Sequence, residues 1–433
     1  MSVDNEPTTK FVSGPVICFR LEGKINGINK VIYLFGDIHM PVGNESQCPS
    51  WTSDSFVRYF SKTIKKTNKN NKYDLFFEIG KTHWTNNVSI KERYIDEVAK
   101  YFGSTLNIIE NETTNSTKLA KSSKSTEIKD QNVKNVKREN LGSKTEPNLR
   151  LHHVDVRELF RQHTMANNLF YDITDMFYQI KSNNDATEYV LHKMENLINS
   201  FVVAVLNETY LFTKRGEDIN ETELKKVKKY LGDESYEKFK NVSDKINYIY
   251  NNKNVQNILL NDVFLSKQIK DDVNKLITCC EKFLKNIKNL VDFWDKRHNI
   301  LTDYNGMCLY GIPDNEKIKM TLPIIENFNE MNGHKINIYV SIMDLYALRR
   351  MLDKNYIDHI IVYTGALHTC NYLLTLVKYF DFKVTHCTNK NYTLSELHKN
   401  INKSTNGEEL FCKCMTSYLF QCIDMSDFPE NFD

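Results

Sequence analysis

One local arrangement occurs near both ends of this chain: an apolar, strand-prone run closed by Gly-x-x-His. The first run spans Val31 to Phe35 and leads into Gly36, Asp37, Ile38 and His39. The second spans Ile360 to Thr364 and leads into Gly365, Ala366, Leu367 and His368. β-Branched and aromatic residues suit a pleated, half-buried surface, and glycine lets the backbone turn as the strand ends. Each histidine then emerges at a carboxyl edge, where α/β sheets gather ligands. Between the two lies a third run, Tyr73 to Phe77, which ends in Glu78. Two imidazoles and a carboxylate leaving strand ends form a half-open metal site. A lone Gly-x-x-His is a frequent accident, and the competing view is two unrelated turns with incidental histidines. Repetition of the whole context, with an acidic strand end between, favours the site.

The rest of the chain divides around these strands. Residues 11–103 read as the N-terminal part of an α/β core. They begin with a hairpin, Val16 to Leu21 and Val31 to Phe35, whose loop contains Asn26 and Gly27 and is longer than two residues. An irregular loop, 41–49, leads to a helix from Ser53 to Lys66 with Phe56, Tyr59, Phe60 and Ile64 on one face. Residues 104–148 are dominated by serine, threonine, lysine, asparagine and glutamate. That composition predicts a disordered insertion, because too little apolar surface is available to offset chain entropy. Residues 149–158 return as a core strand. Residues 159–301 carry apolar positions at three- and four-residue spacing and read as an inserted helical subdomain. Residues 302–425 complete the core, with a strand at Lys335 to Ser341, a helix at Leu345 to Leu352, the Ile360 strand, a helix at Tyr372 to Tyr379 and an edge strand at Phe382 to His386. The fold class is therefore α/β: a central sheet flanked by helices, with a large inserted helical subdomain.

Composition narrows the function. A formal charge of +2 over 433 residues gives no global pull toward nucleic acid. The lysine runs near Lys65 and Lys226 read as solvated helix faces among acidic neighbours. No apolar stretch nears the roughly 20 residues needed to span a bilayer, and the polar N-terminus lacks the features of a secretory signal. An intracellular, cytoplasmic protein is expected. The ten cysteines have no paired Cys-x-x-Cys framework, so free, mainly buried thiols are expected and a zinc site at Cys387, Cys412 and Cys414 is disfavoured. Of the adjacent His152 and His153, strand geometry lets at most one face inward.

With these residues in view, the chain resembles the TraB/TIKI superfamily, related more distantly to erythromycin esterases and ChaN-like proteins. The shared pattern is strand–Gly-x-x-His, a glutamate at the next strand end, an arginine motif and a second strand–Gly-x-x-His. Here these fall on His39, Glu78, Arg157 and His368. Asp37 is similar to the acidic residue inside the first motif of the esterase and ChaN branches. The resemblance covers Val16 to Glu78, Leu149 to Arg157 and Lys335 to His386, but not the helical middle. It implies motifs converging at one end of a sheet and a divalent metal (manganese, cobalt or zinc) held by His39, Glu78 and His368. Asp37 and Asp155 would stand behind these ligands. It also implies hydrolysis of a peptide or small acyl substrate, with Glu78 as base or ligand and Arg157 holding an oxyanion or substrate carboxylate; the competing view of Arg157 is a salt bridge to Asp155 or Glu158. Heavy use of residues with AT-rich codons, together with the polar insertion, is in the style of a large DNA virus, which adds virion association as a second location.

Two other functions compete. One is a non-catalytic scaffold on the same fold, binding a protein partner through the helical insertion. The lesser one is a metallophosphoesterase, since Asp37, Ile38 and His39 also form Asp-x-His after a strand. That chemistry needs further Asp, Asn and His motifs that this chain lacks.

Overall fold

The computed structural model describes residues 11–40, 48, 53–78, 94–105, 141–142, 148–156, 165–183, 188–213, 237, 250–302, 314–389, 391–414 and 421–433. The strands are β1 (Phe11–Ser13), β2 (Ile17–Ile25), β3 (Ile28–Asp37), β4 (Asp54–Ser55), β5 (Tyr73–Phe77), β6 (Leu141–Gly142), β7 (Leu149–His153), β8 (His359–Gly365), β9 (Lys383–Cys387) and β10 (Cys422–Asp424). Seven of them form one mixed sheet in the order β6-β7-β5-β8-β3-β2-β9. Its centre is parallel: β7 with β5, β5 with β8, and β8 with β3. A smaller sheet has the order β10-β1-β4. The expected α/β architecture is present.

Strand β8 is decisive for everything downstream. It enters the sheet late in the chain, yet lies between β3 and β5, two of the earliest strands. Its register sets Gly36 opposite Thr364 and Asp37 opposite Gly365. The two Gly-x-x-His turns therefore leave neighbouring parallel strands at the same edge.

The hairpin of β2 and β3 is tighter than expected. Ile25 pairs with Ile28, so the loop is only Asn26 and Gly27, with φ of 50° and 82°. Positive φ at both positions is what a type I′ turn needs, and Asn-Gly supplies it at low cost.

Alternation along the strands splits the core into two layers. Leu34, Phe76, Ile360 and Val362 face one side, where most helices pack. Phe35, Leu75, Phe77, Ile361 and Tyr363 face the other. That second side is covered by α1 (Phe56–Lys66), α2 (Tyr94–Thr105) and the C-terminal Phe428 and Phe432. Helix α1 matches the expectation, with Ser55 capping its start.

The helical layer contains α3 (Met165–Asn183), α4 (Glu188–Thr213) and α5 (Lys253–Asn257), which continues through a π-helical turn at Ile258–Asp262. Two long helices follow, α6 (Phe264–Thr302) and α7 (Asp314–Asp353). Across the α6–α7 pair, His334 meets Asp272 at 2.8 Å, Cys279 meets Glu330 at 3.3 Å and Asn286 meets Asn327 at 2.8 Å. These polar contacts fix the register of two otherwise apolar faces. The chain then returns through α8 (Ala366–Phe380), α9 (Leu394–Lys403) and α10 (Gly407–Cys414).

Other parts of the chain also differ from expectation. Lys335 to Ser341 is not a strand but part of α7. Met331, Ile338, Ile342 and Leu345 are buried while Ile336 is 47% exposed, a three-to-four-residue period that seven residues of alternation had masked. Within the segment expected to be disordered, Leu141 and Gly142 pair with Leu151 and Arg150; the bulk of that segment lies outside the described residues. The cysteines are not all free either, because Cys48 and Cys422 form a disulfide across 374 positions. Cys48 belongs to the irregular loop, the rest of which lies outside the described residues. The edge strand β9 and the helix after the second motif are as expected, the helix starting earlier, at Ala366.

Candidate functional site

His39, Glu78 and His368 come together. They leave β3, β5 and β8, three adjacent parallel strands, at one edge of the sheet. His39 Nε2 lies 3.7 Å from Glu78 Oε2, and His368 Nε2 lies 3.3 Å from Glu78 Oε1. Glu78 and His368 are buried, and the His39 side chain is 30% exposed. The opening of the site is therefore on the His39 side.

Each strand end positions its group differently. His39 has a left-handed φ of 53°, which an L-residue adopts only when held there. The hold is Asp37, whose Oδ1 accepts the His39 backbone N–H at 2.8 Å. Asp37 is itself fixed by the Tyr363 hydroxyl at 3.2 Å and the Gln421 amide at 3.2 Å. Its other oxygen stands 3.7 Å from His39 Nδ1. Glu78 Oε2 accepts the backbone N–H of Gly365 at 2.5 Å. His368 rides on the first turn of α8, where its Nδ1 meets Asp344 Oδ1 of α7 at 2.6 Å. Asp344 Oδ2 accepts from Asn371 at 2.7 Å. Residues 368 and 371 share a helix face, so one carboxylate serves both.

Neither motif glycine has a positive φ, so neither is there to permit a turn. Gly36 allows close approach: an added Cβ would stand 3.0 Å from the Cα of Ala366. Gly365 keeps the site open. A Cβ there would lie 3.1 Å from His39 Nε2, 3.3 Å from Glu78 Oε2 and 3.5 Å from His368 Cδ2, in the space the three groups share.

Burial works against a charged His368, but Asp344 and Glu78 outweigh it and raise its pKa to about 10. At neutral pH the ring carries a proton between two carboxylates. Among the described residues no three His, Cys, Asp or Glu side chains stand in ready-made coordination geometry. Two of the three donor pairs nonetheless stand at the spacing that the ligands of an ion take. Ligands about 2.1 Å from a tetrahedral centre are roughly 3.4 Å apart, close to the 3.3 and 3.7 Å spacings found here. Small side-chain rotations and loss of the His368 proton would complete the set.

Of the other expected site residues, Asp37 stands behind His39 as described. Asp155 is half-buried beyond the end of β7. Arg157 lies outside the described residues. His152 is buried away from the site: its Nε2 meets Asp74 at 2.6 Å, its Nδ1 meets Arg350 at 3.0 Å, and it stacks on Phe76. Sequence reasoning missed Asp344, Asn371, Tyr363 and Gln421. Only Asn371 left a signal, its three-residue spacing from His368.

Residues 10–433 match a protein family described as "Family of unknown function (DUF5847)", and the chain belongs to that family. Its relatives include three proteins of Acanthamoeba polyphaga mimivirus. Uncharacterized protein R161 is 29% identical over 97% of this chain and 98% of its own length. Uncharacterized protein R706 is 27% identical over 99% and 98%, and uncharacterized protein R160 is 26% identical over 98% and 97%. These relatives support the viral character read from the composition. No solved structure matches the chain. Among the described residues no helix is long and apolar enough to cross a membrane.

Proposed function

We propose that this protein is a divalent-metal-dependent hydrolase of TraB/TIKI type, cleaving a peptide or other acyl bond. His39, Glu78 and His368 would hold manganese, cobalt or zinc. The observation that carries the reading is the convergence of the three groups around a space that only a glycine at position 365 leaves empty. An ion held there would supply a Lewis acid for the acyl carbonyl and ease ionisation of water. Glu78, oriented by the Gly365 N–H, would serve as a ligand of that ion or as the base that accepts a proton from the attacking water. The partly exposed His39 marks the substrate's approach, and the resemblance gives Arg157 the role of stabilising developing negative charge. Buried walls of Glu78, Asp344 and His368 exclude bulk water from the inner side. The reading places the reaction inside the infected cell, with virion association as the alternative.

One observation favours a non-catalytic scaffold. His368 already bridges Glu78 at 3.3 Å and Asp344 at 2.6 Å, so the three groups pair with one another with no added ion. The two readings separate in one experiment. Purified protein is loaded with manganese, cobalt or zinc, and bound metal is counted in wild type and His39→Ala. Near-stoichiometric metal that falls at least tenfold in the variant supports the hydrolase, and Glu78→Gln should then abolish turnover of a peptide or ester panel while leaving the fold intact. Metal-free wild type, inactive on peptides, esters and phosphoesters, leaves the scaffold.

A further inference from the structure

We infer that Asp344 is the positioning residue of this centre: it fixes the orientation and tautomer of His368, and so makes the helical layer part of the metal site. The inference rests on the metal-centre reading above. Asp344 is fully buried and contributes no atom to the space shared by His39, Glu78 and His368. It acts through His368 alone. With Asp344 Oδ1 at 2.6 Å from Nδ1, the Nδ1 position keeps its hydrogen, and Nε2, 3.3 Å from Glu78, is the nitrogen left to face an ion. A carboxylate behind a ligating imidazole fixes the ring and raises its basicity. The second Asp344 oxygen is occupied by Asn371, so the carboxylate cannot rotate away without losing a buried hydrogen bond.

The source of Asp344 gives the contact its wider meaning. Among the described residues, the groups that face the shared space, His39, Glu78 and His368, come from strand ends or the first turn of α8. Asp344 comes from α7, the long helix whose other half is keyed to α6 by the His334–Asp272, Glu330–Cys279 and Asn327–Asn286 contacts. The 159–301 insertion is therefore more than a cover. Through α7 it sets where the Asp344 carboxylate stands, and hence how His368 is presented. The His39 side has its own counterpart in Asp37, but at a looser 3.7 Å from Nδ1. His368 is the rigid ligand and His39 the adaptable one.

The test is cobalt(II) binding by the full-length protein, read by titration and by the visible ligand-field spectrum, with thermal melting as the fold control. Asp344→Asn should lower cobalt affinity by about 10–100-fold and alter the spectrum while the protein remains folded. The double variant Asp344→Asn with Asn371→Asp returns a carboxylate to the pocket but not to Nδ1, and its affinity should stay low. Asn371→Ser, which releases the second oxygen, should weaken binding several-fold and decides the matter if Asp344→Asn fails to fold. Folded Asp344→Asn with wild-type affinity and spectrum, full recovery in the double variant, or unchanged binding in Asn371→Ser would each overturn the inference. Wild type that binds no cobalt, manganese or zinc removes the metal reading itself, a result distinct from all of these.

Discussion

The bridge between Cys48 and Cys422 spans 374 positions, and its removal has a calculable consequence. Cross-linking removes loop-closure entropy from the unfolded chain, roughly 2.1 + 1.5R ln n cal/mol/K, which for n of about 374 is ~20 cal/mol/K or about 6 kcal/mol at 25 °C. Native bridges usually contribute less, about 2–5 kcal/mol, because the unfolded chain retains structure and solvation changes oppose the entropy term. The bridge also has a local job. It ties Cys48 to β10, where Cys422 pairs with Ser13 and the preceding Gln421 donates to Asp37. Cys422→Ser should therefore lower stability by about 2–6 kcal/mol, or roughly 2–7 °C for a cooperative chain of this size. Cys48→Ser should cost the same, and the double variant no more than either single, because the second substitution removes nothing that remains. Reductant added to wild type should reproduce the loss and leave the variants unchanged. Denaturant melts of the four proteins decide it: a loss below about 1 kcal/mol, or two losses that add, refutes the argument.

Other outcomes can be stated briefly. Gly365→Ala should fold normally, since φ of −55° suits alanine, yet lose at least tenfold in metal affinity as its methyl enters the shared space; calorimetric titration with zinc checks this. Burial pushes Glu208 up from 4.5 to about 8 against the opposing hydrogen bonds of Ala166, Met165 and Tyr339. The folded state thus holds a proton that the unfolded chain releases. Its contribution to stability is full below about pH 4.5 and is lost as pH rises through 8, at up to about 1.4 kcal/mol per pH unit. Glu208→Gln should flatten that part of the stability–pH curve, and an unchanged slope between pH 5 and 8 in urea melts would show that burial does not hold the proton.

Local information made much of this protein legible from its sequence. Strand runs closed by Gly-x-x-His, the Asn26–Gly27 turn and the one-sided apolar face of α1 are each determined by neighbours within a few residues. So His39, Glu78 and His368 could be named before any fold was known. What tertiary structure alone decided is of another kind. Lys335 to Ser341 alternates like a strand over seven residues, but burial of Met331, Ile338, Ile342 and Leu345 against α6 outweighs that pattern. The partners at positions 48 and 422 are too distant for any sequence period to connect them. Asp344 looks like one more acidic residue on a helix, and only the docking of α7 beneath the sheet edge brings it to His368. Sequence specifies groups and local conformation through short-range sterics and periodicity. Which distant groups share a buried space is set by how helices and strands pack, and that belongs to the assembled core.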